Sequence, residues 1–404
     1  MTNTLKPRDG KEVEDAIRWA VSNDKALEVA GGGSKRAFGR PSQTDITLDL
    51  SGLTGVTLYE PAELVLSARA GTKLADIEAL LAENNQELAF EPADYGPLFG
   101  GEAGQGTLGG VIATNLSGPR RLKAGAARDH FLGVTAVTGR AETVKSGGRV
   151  VKNVTGYDLC KLFAGSFGTL AAMTDVTLKV LPKAETEVTV LVEDLDDAEA
   201  CLAMGAALGS PADVSGAAHL PDHIASFFDG LPQAGAATVL RLEGFGPSVV
   251  ARKDALAALM APFGAVSLLE DGESRRLWKS IRDLKPFVSD AARRRPLWRI
   301  STAPSQAHRL VDLITPAAQM FYDWGGGLVW VAMPFEDEPD AASIRGAVAE
   351  LGGHATLIRA PAAVRAAVDV FQPEGAAVAA LSKRVKESFD PAAVLNPGRV
   401  WAAV

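Results

Sequence analysis

The chain has 404 residues, 47% apolar and 22% charged, with 49 acidic against 41 basic side chains and a net charge of −8. That length allows two or three domains with large cores, while a sequence pI near 5.3 and the lack of a basic tract argue against a nucleic-acid binder. The N-terminal stretch MTNTLKPRDGKEVEDAI carries no apolar signal-peptide core, and the longest apolar run, Ala255 to Leu269, is broken by Pro262 and Gly264. The expectation is a cytoplasmic protein without a direct membrane span, reaching a membrane only through a partner.

In chain order, Asp9-Gly10 opens a helix whose apolar face is Val13, Ile17, Trp19 and Ala20, and Leu27 to Ala30 is a short strand. Three glycines, a hydroxyl and two cations follow, Gly31-Gly32-Gly33-Ser34-Lys35-Arg36. Glycines after a strand let backbone N–H groups converge on an anion, so this loop reads as a pyrophosphate nest. It lacks the spacing of a phosphate loop that hydrolyses ATP. Strands are predicted at Ile46 to Leu50 and Leu64 to Ala70, and a helix from Lys73 to Asn84.

A second glycine-rich stretch runs from Gly100 to Asp129, where eight of thirty residues are glycine. Leu108, Val111, Ile112 and Leu116 fall at helical spacing, so Thr107 caps a short helix whose other side, Gly109, Ala113 and Ser117, is small enough to receive a flat or phosphorylated ligand. Arg120, Arg121, Lys123 and Arg128 add local positive charge to an acidic chain. Gly104, Gly106 and Gly109 do spell the dinucleotide fingerprint, yet the residues before them contain two prolines and no strand, which argues against a Rossmann turn. Phe131 to Thr138 is a predicted strand; a further glycine-rich turn, Gly147 to Tyr157, leads into a helix at Asp158, and Leu170 to Leu181 is a strand ended by Pro182. Gly165-Ser166 does not complete a serine nucleophile elbow.

The run AGGGSKRAFG, then YEPAELVLSARAGTKLADIEALLAENNQELAFEP, GGEAGQGTLGGVIATNLSGPRR, ARDHFLGV and GGRVVKNVTGYDLCKLFAGSFGTLAAMTDVTLKVLP resembles the FAD domain of the vanillyl-alcohol-oxidase (PCMH-type) flavoproteins, and within them the FAD-binding E subunits of bacterial glycolate oxidases. The resemblance covers Glu12 to Pro182 and resumes at Phe389-Asp390-Pro391 and Asn396-Pro397-Gly398-Arg399. It implies an α+β protein: an FAD domain of two α+β subdomains over residues 1–183, a cap over 184–370, and a C-terminal segment, 371–404, returning to the FAD domain. It also implies that Gly31, Gly32, Gly33, Ser34 and Lys35 cradle the pyrophosphate, and that Thr107, Gly109, Gly110, Thr114, Ser117 and Gly118 line the flavin and its ribityl chain. Arg128 and Asp129 would brace the adjoining loop, and Asn153, Gly156 and Tyr157 would face the isoalloxazine. Some members attach FAD through a histidine in the first glycine loop; none stands there, so the FAD is expected to be non-covalent.

From Glu185 onward the pattern changes. Predicted strands at 188–192, 238–245, 265–269, 296–301, 328–334 and 356–359 alternate with helices at 196–208, 249–260, 305–314 and 341–351, a repeated β-α-β-β pattern that reads as ferredoxin-like, an antiparallel sheet covered by helices. Phe371-Gln372-Pro373 leads into a last helix. His219 and His223 are four apart, but Pro221 separates them and no third ligand is evident, so no metal site is expected. Lys279 and Arg282, beside Trp278, and Arg299, beside Trp298, are the cap candidates for holding a carboxylate, with Tyr157, Arg282 and Lys279 the candidate catalytic residues. The alternative for these tryptophans is a place in the core.

Cys160 and Cys201 are too few for an iron–sulfur cluster, which takes about four thiolates. Electrons accepted by a flavin must therefore leave the chain. The resemblance supplies the setting: a complex with a D-type FAD catalytic subunit and an F-type iron–sulfur subunit, oxidising glycolate or a related 2-hydroxy acid. The alternatives are a free-standing FAD-linked dehydrogenase for another hydroxy acid or polyol, and an assembly subunit whose FAD is structural.

Overall fold

The computed structural model describes residues 3–149, 156–232, 234–335 and 337–402. The chain forms two compact units: Met1–Ser117, Ala126–Lys183 and Pro373–Val404 make the first, and Gly118–Gly125 with Ala184–Gln372 the second.

The first unit is built on two sheets. Strands Asn3–Leu5, Ile46–Asp49 and Leu27–Ala30 form a parallel sheet with Ile46–Asp49 at its centre. The helix Gly10–Ser22 begins where the Asp9 carboxylate accepts from the Glu12 amide at 2.9 Å, and it buries Val13, Ile17 and Ala20. Trp19, expected on that buried face, is 44% exposed. Two residues from Ile17 place it on the flank of the helix rather than on the stripe. Leu27, Leu48, Val394 and Leu395 complete this small core.

The second sheet of this unit is antiparallel, in the order Val56–Glu60, Val65–Arg69, Ala171–Lys179, Phe131–Thr138, Thr143–Gly147. Its core joins Leu66, Ala68, Val134, Ala136, Val176 and Leu178 to Ile77 and Leu81 of the helix Leu74–Ala82 and to Leu108, Val111 and Ile112. Burial alternates with period two from Thr174 to Lys179, after a start, Ala171 to Met173, that is buried on both faces. Leu181–Pro182 leaves that strand to pair with Gln86–Glu87. The helix Ala376–Phe389 and the segment after it close the unit: Leu27 N donates to Val394 O at 2.7 Å and Asn396 N to Leu27 O at 2.9 Å.

The second unit carries one eight-stranded antiparallel sheet, in the order 266–269, 186–193, 237–244, 216–220, 319–323, 328–332, 297–301, 354–359. Its first half runs strand Thr186–Glu193, helix Asp197–Leu208, strands Gly216–Leu220 and Ala237–Gly244, helix Gly246–Met260 and strand Val266–Leu269. Numbered within the half, the spatial order is 4-1-3-2, the ferredoxin-like topology. The second half, Leu297–Ser301, Gln319–Asp323, Leu328–Ala332, helix Ala341–Leu351 and His354–Arg359, repeats it in mirror order, and the halves meet through the pair His219 and Tyr322. The predicted helix at 305–314 is a 3₁₀ run, Pro304–Arg309, followed by a single turn, Leu310–Leu313. One core, from Val188 and Val190 through Trp298 and Ile300 to Leu357, underlies both halves.

Candidate functional site

The strand Leu27–Ala30 delivers the chain into the loop Gly31–Lys35, and the geometry explains why the loop is glycine. A Cβ on Gly32 would stand 2.1 Å from the Gln105 carbonyl oxygen, and one on Gly31 would stand 2.6 Å from the Thr107 hydroxyl. Gly33 has φ +75° and nothing within 4 Å of its missing Cβ, so it opens onto free space. The loop is thus pressed against the start of the second glycine stretch. Only residues without a side chain allow that approach.

Thr107 caps the helix Leu108–Thr114, its hydroxyl accepting from the Gly110 amide at 3.3 Å. Gly109 lies against Ala70, whose carbonyl accepts the Gly109 amide at 2.8 Å. The helix is shorter than its apolar spacing suggests: Asn115 takes the left-handed conformation at φ +50° and ends it, so Leu116 and Ser117 lie beyond. The Ser117 hydroxyl accepts from the Ala127 amide at 2.9 Å rather than extending the small helix face. Thr114 donates to Gly110 O at 2.8 Å.

These elements converge on a groove. Gly31, Gly32, Gly33, Ser34 and Lys35 line it together with Thr107, Gly110 and Thr114, and with Phe167, Asn396 and Arg399. Gly109 lines its continuation, beside Phe167 and Met173. On the outer side of the loop lies a further cavity of about 670 Å³, lined by Lys6, Asp49, Lys73 and Asp76 among others. Lys35 supplies its enclosed cation. Its ammonium stands 3.3 Å from Ser34 Oγ, and burial pushes its pKa down to about 8 against the opposing field of Asp94. Arg36 is turned to Glu28, at 2.9 Å. Backbone N–H groups freed by glycine, a hydroxyl and a desolvated ammonium are a donor set suited to a diphosphate, and the apolar continuation suits a flat ring system.

Sequence reasoning gave no cofactor role to Phe167, Asn396 or Arg399. Asn396 clasps the groove's wall: its Oδ1 accepts from Val29 N at 2.9 Å and its Nδ2 donates to Phe167 O at 2.7 Å. Arg399 donates to Arg36 O at 2.8 Å. The signal was present in Asn396-Pro397-Gly398-Arg399, which local pattern alone could not connect to a loop more than 360 residues away. Behind it, the buried Lys386 ammonium bonds Asp390 at 2.5 Å, Thr169 O at 2.7 Å and Leu395 O at 3.0 Å.

The remaining predicted residues are placed differently. Arg128 N donates to Asn115 Oδ1 at 3.0 Å, Asp129 Oδ2 accepts from Ala126 N at 2.9 Å, and Lys161 bonds Arg128 O, so this pair sits in a bracing network beside the helix end. Gly118 belongs to the second unit, where its carbonyl accepts Trp324 Nε1 at 3.0 Å. Asn153 lies outside the described residues. Gly156 has φ +76°, and Tyr157 is 92% exposed, its carbonyl accepting from Ser146 Oγ and from the Leu159 amide.

In the second unit, the helix Asp271–Arg282 buries Ser274, Leu277, Trp278 and Ile281 and leaves Lys279 exposed. Arg282 lays its fork on Asp283, at 2.9 and 2.8 Å. Trp278 and Trp298 are core side chains; their indole N–H groups donate to Thr189 Oγ1 and Pro339 O. Arg299 stacks on Trp324 at 4.8 Å, and Arg121 stacks on the same ring at 4.6 Å. His219 and His223 do not converge: His219 meets Asp197 and Thr238, while His223 Nε2 accepts from Met320 N.

Residues 2–147 match the family model described as an FAD binding domain. The chain is 34% identical over 389 residues to the glycolate oxidase subunit GlcE of Escherichia coli, covering 96% of each protein. The chain belongs to this FAD-binding flavoprotein family. Within the family it is also 28% identical over 435 residues to the glycolate oxidase subunit GlcD of Bacillus subtilis, covering 98% of the chain and 88% of that protein. The fold of the family is seen in the solved structure of 4-ethylphenol oxidase from Gulosibacter chungangensis, with a TM-score of 0.74 at 13% identity over 98% of this chain and 89% of that one. FAD is the cofactor of this PCMH-type family. No helix among the described residues is long and apolar enough to cross a membrane.

Proposed function

We propose that this chain is the FAD-binding subunit of a glycolate oxidase complex, supporting the oxidation of glycolate to glyoxylate beside a D-type FAD subunit and an iron–sulfur subunit. The carrying observation is the full-length similarity to a glycolate oxidase subunit, combined with a groove whose glycine walls and enclosed Lys35 suit a dinucleotide. FAD supplies two-electron acceptance when bound.

The chain's own residues do the holding. Gly31, Gly32 and Gly33 offer amides and clearance to the diphosphate, and Ser34 and Lys35 offer a hydroxyl and a charge. Thr107, Gly109, Gly110 and Thr114 form the floor under the flavin and ribityl portion, Asn396 fixes the loop strand to Phe167, and Arg128 and Asp129 keep the neighbouring turn in place. Two cysteines are too few for a cluster that would take the electrons onward, which supports an external acceptor.

One observation favours a supporting role over a free-standing dehydrogenase: the best sequence candidate for a carboxylate clamp, Arg282, is already bidentate to Asp283, and Lys279 beside it projects to solvent. The test is complementation of glycolate oxidation by the reconstituted complex. Omitting this subunit should abolish electron delivery to the acceptor, and full activity without it would refute the proposal.

A further inference from the structure

Lys35 is an unusual cation. It is enclosed between its own loop and the turn at Gly106 and Gly110, where its Nζ lies 3.7 and 3.8 Å from the positions that Cβ atoms would take. Among the described residues it has within hydrogen-bonding reach the Ser34 hydroxyl at 3.3 Å and no carboxylate. The charges around it are committed elsewhere or stand further off. Arg36 pairs with Glu28, Asp94 accepts the amides of Gly96 and Gly104 and acts on Lys35 through its field, Arg399 holds the Arg36 carbonyl, and Lys73 and Asp76 line the outer cavity. An ammonium partly withdrawn from water, with a hydroxyl but no carboxylate beside it, shifts toward its neutral form until an anion arrives.

We propose that Lys35 is a proton-linked counter-charge for the cofactor's diphosphate: its amine lone pair takes a proton from solvent as the diphosphate enters the groove, so that cofactor retention depends on pH. The step forms one N–H bond and involves no electron transfer. It rests on the reading above that the Gly31–Lys35 loop receives the diphosphate. It adds that this residue, rather than a permanently charged arginine, makes loading reversible in the mildly alkaline range.

The experiment titrates the full-length chain, stripped of cofactor, with FAD in a calorimeter at pH 7, 8 and 9, using two buffers of different ionisation enthalpy, with riboflavin as a phosphate-free probe. An ammonium titrating near 8 in the free chain and charged in the loaded one predicts FAD affinity about tenfold weaker at pH 9 than at pH 7. It also predicts net proton uptake at pH 8 and 9, and none with riboflavin. Lys35→Arg should bind FAD with a flat pH profile and no proton uptake, and Lys35→Met should bind weakly at every pH. A flat wild-type profile with no proton exchange overturns this proposal while leaving FAD binding intact, as does a wild-type slope surviving in Lys35→Arg. Absence of FAD binding at every pH by a chain that still melts cooperatively overturns the cofactor-loop reading along with it.

Discussion

Substituting Gly32 with alanine tests the loop geometry directly. The new Cβ would stand 2.1 Å from the Gln105 carbonyl oxygen, where carbon–oxygen contacts ordinarily begin at about 3.3 Å. Both sides of the clash are backbone, so the Gly31–Lys35 loop and the Gln105 turn must part by about 1 Å, taking the amides and Lys35 out of register with the groove. Overpacking of this kind costs about 1–3 kcal/mol, which corresponds to FAD affinity lowered roughly 5- to 150-fold. Gly246→Ala is the control: nothing lies within 4 Å of its Cβ and its φ is not positive, so the change should stay within about 0.5 kcal/mol. Gly33→Ala separates strain from blockage, since it meets only open space at φ +75° and should cost about 1 kcal/mol of backbone strain. The assay is FAD titration by flavin fluorescence, with a thermal melt of each cofactor-free variant. Wild-type affinity in Gly32→Ala would refute the reasoning.

Lys386→Met removes one partner of a buried pair and leaves Asp390 uncompensated beneath the C-terminal segment. The expected loss is about 3–5 kcal/mol, read as a lower urea midpoint. Glu187 is buried, which pushes its pKa up to about 7 against the pull of Arg241. The folded chain therefore holds this proton more tightly than the unfolded one; the stabilisation is complete below the ordinary carboxylate value near 4.5 and is lost as pH rises through about 7. The melting-temperature advantage of wild type over Glu187→Gln should shrink from pH 5 to pH 8, and a growing advantage would contradict the assignment. Burial raises the thiols of Cys160 to about 12 and Cys201 to about 11, so the native chain should resist iodoacetamide at neutral pH and react twice after unfolding, as counted by mass spectrometry.

Much of this architecture is legible in the sequence because burial is periodic. The helix Gly10–Ser22, the strand Ala171–Lys179 and the two ferredoxin-like halves each carry an apolar stripe long enough to read. The strand Gly216–Leu220 escaped notice because Gly-Ala-Ala has no strand propensity and is held by its neighbours on both sides. The helix Asp271–Arg282 was obscured by its charged outer face, and its buried Trp278 was read as a ligand-facing residue alongside the core alternative. For the groove, the glycine loops and Thr107 were visible as local chemistry. Phe167, Asn396 and Arg399 were not, because their positions depend on contacts far apart in sequence, such as Asn396 spanning Val29 and Phe167. Gly118 shows the converse: it continues a glycine-rich run, yet it belongs to the second unit, where its carbonyl is held by Trp324 of the same unit.

The most direct test of the central claim is the anaerobic visible spectrum of the purified chain after reconstitution with FAD and removal of excess cofactor. The account predicts a flavin band corresponding to one FAD per chain, released by acid precipitation, persisting when glycolate is added alone and bleaching once the D-type and iron–sulfur partners are present. A chain that is folded and retains no flavin band would contradict it.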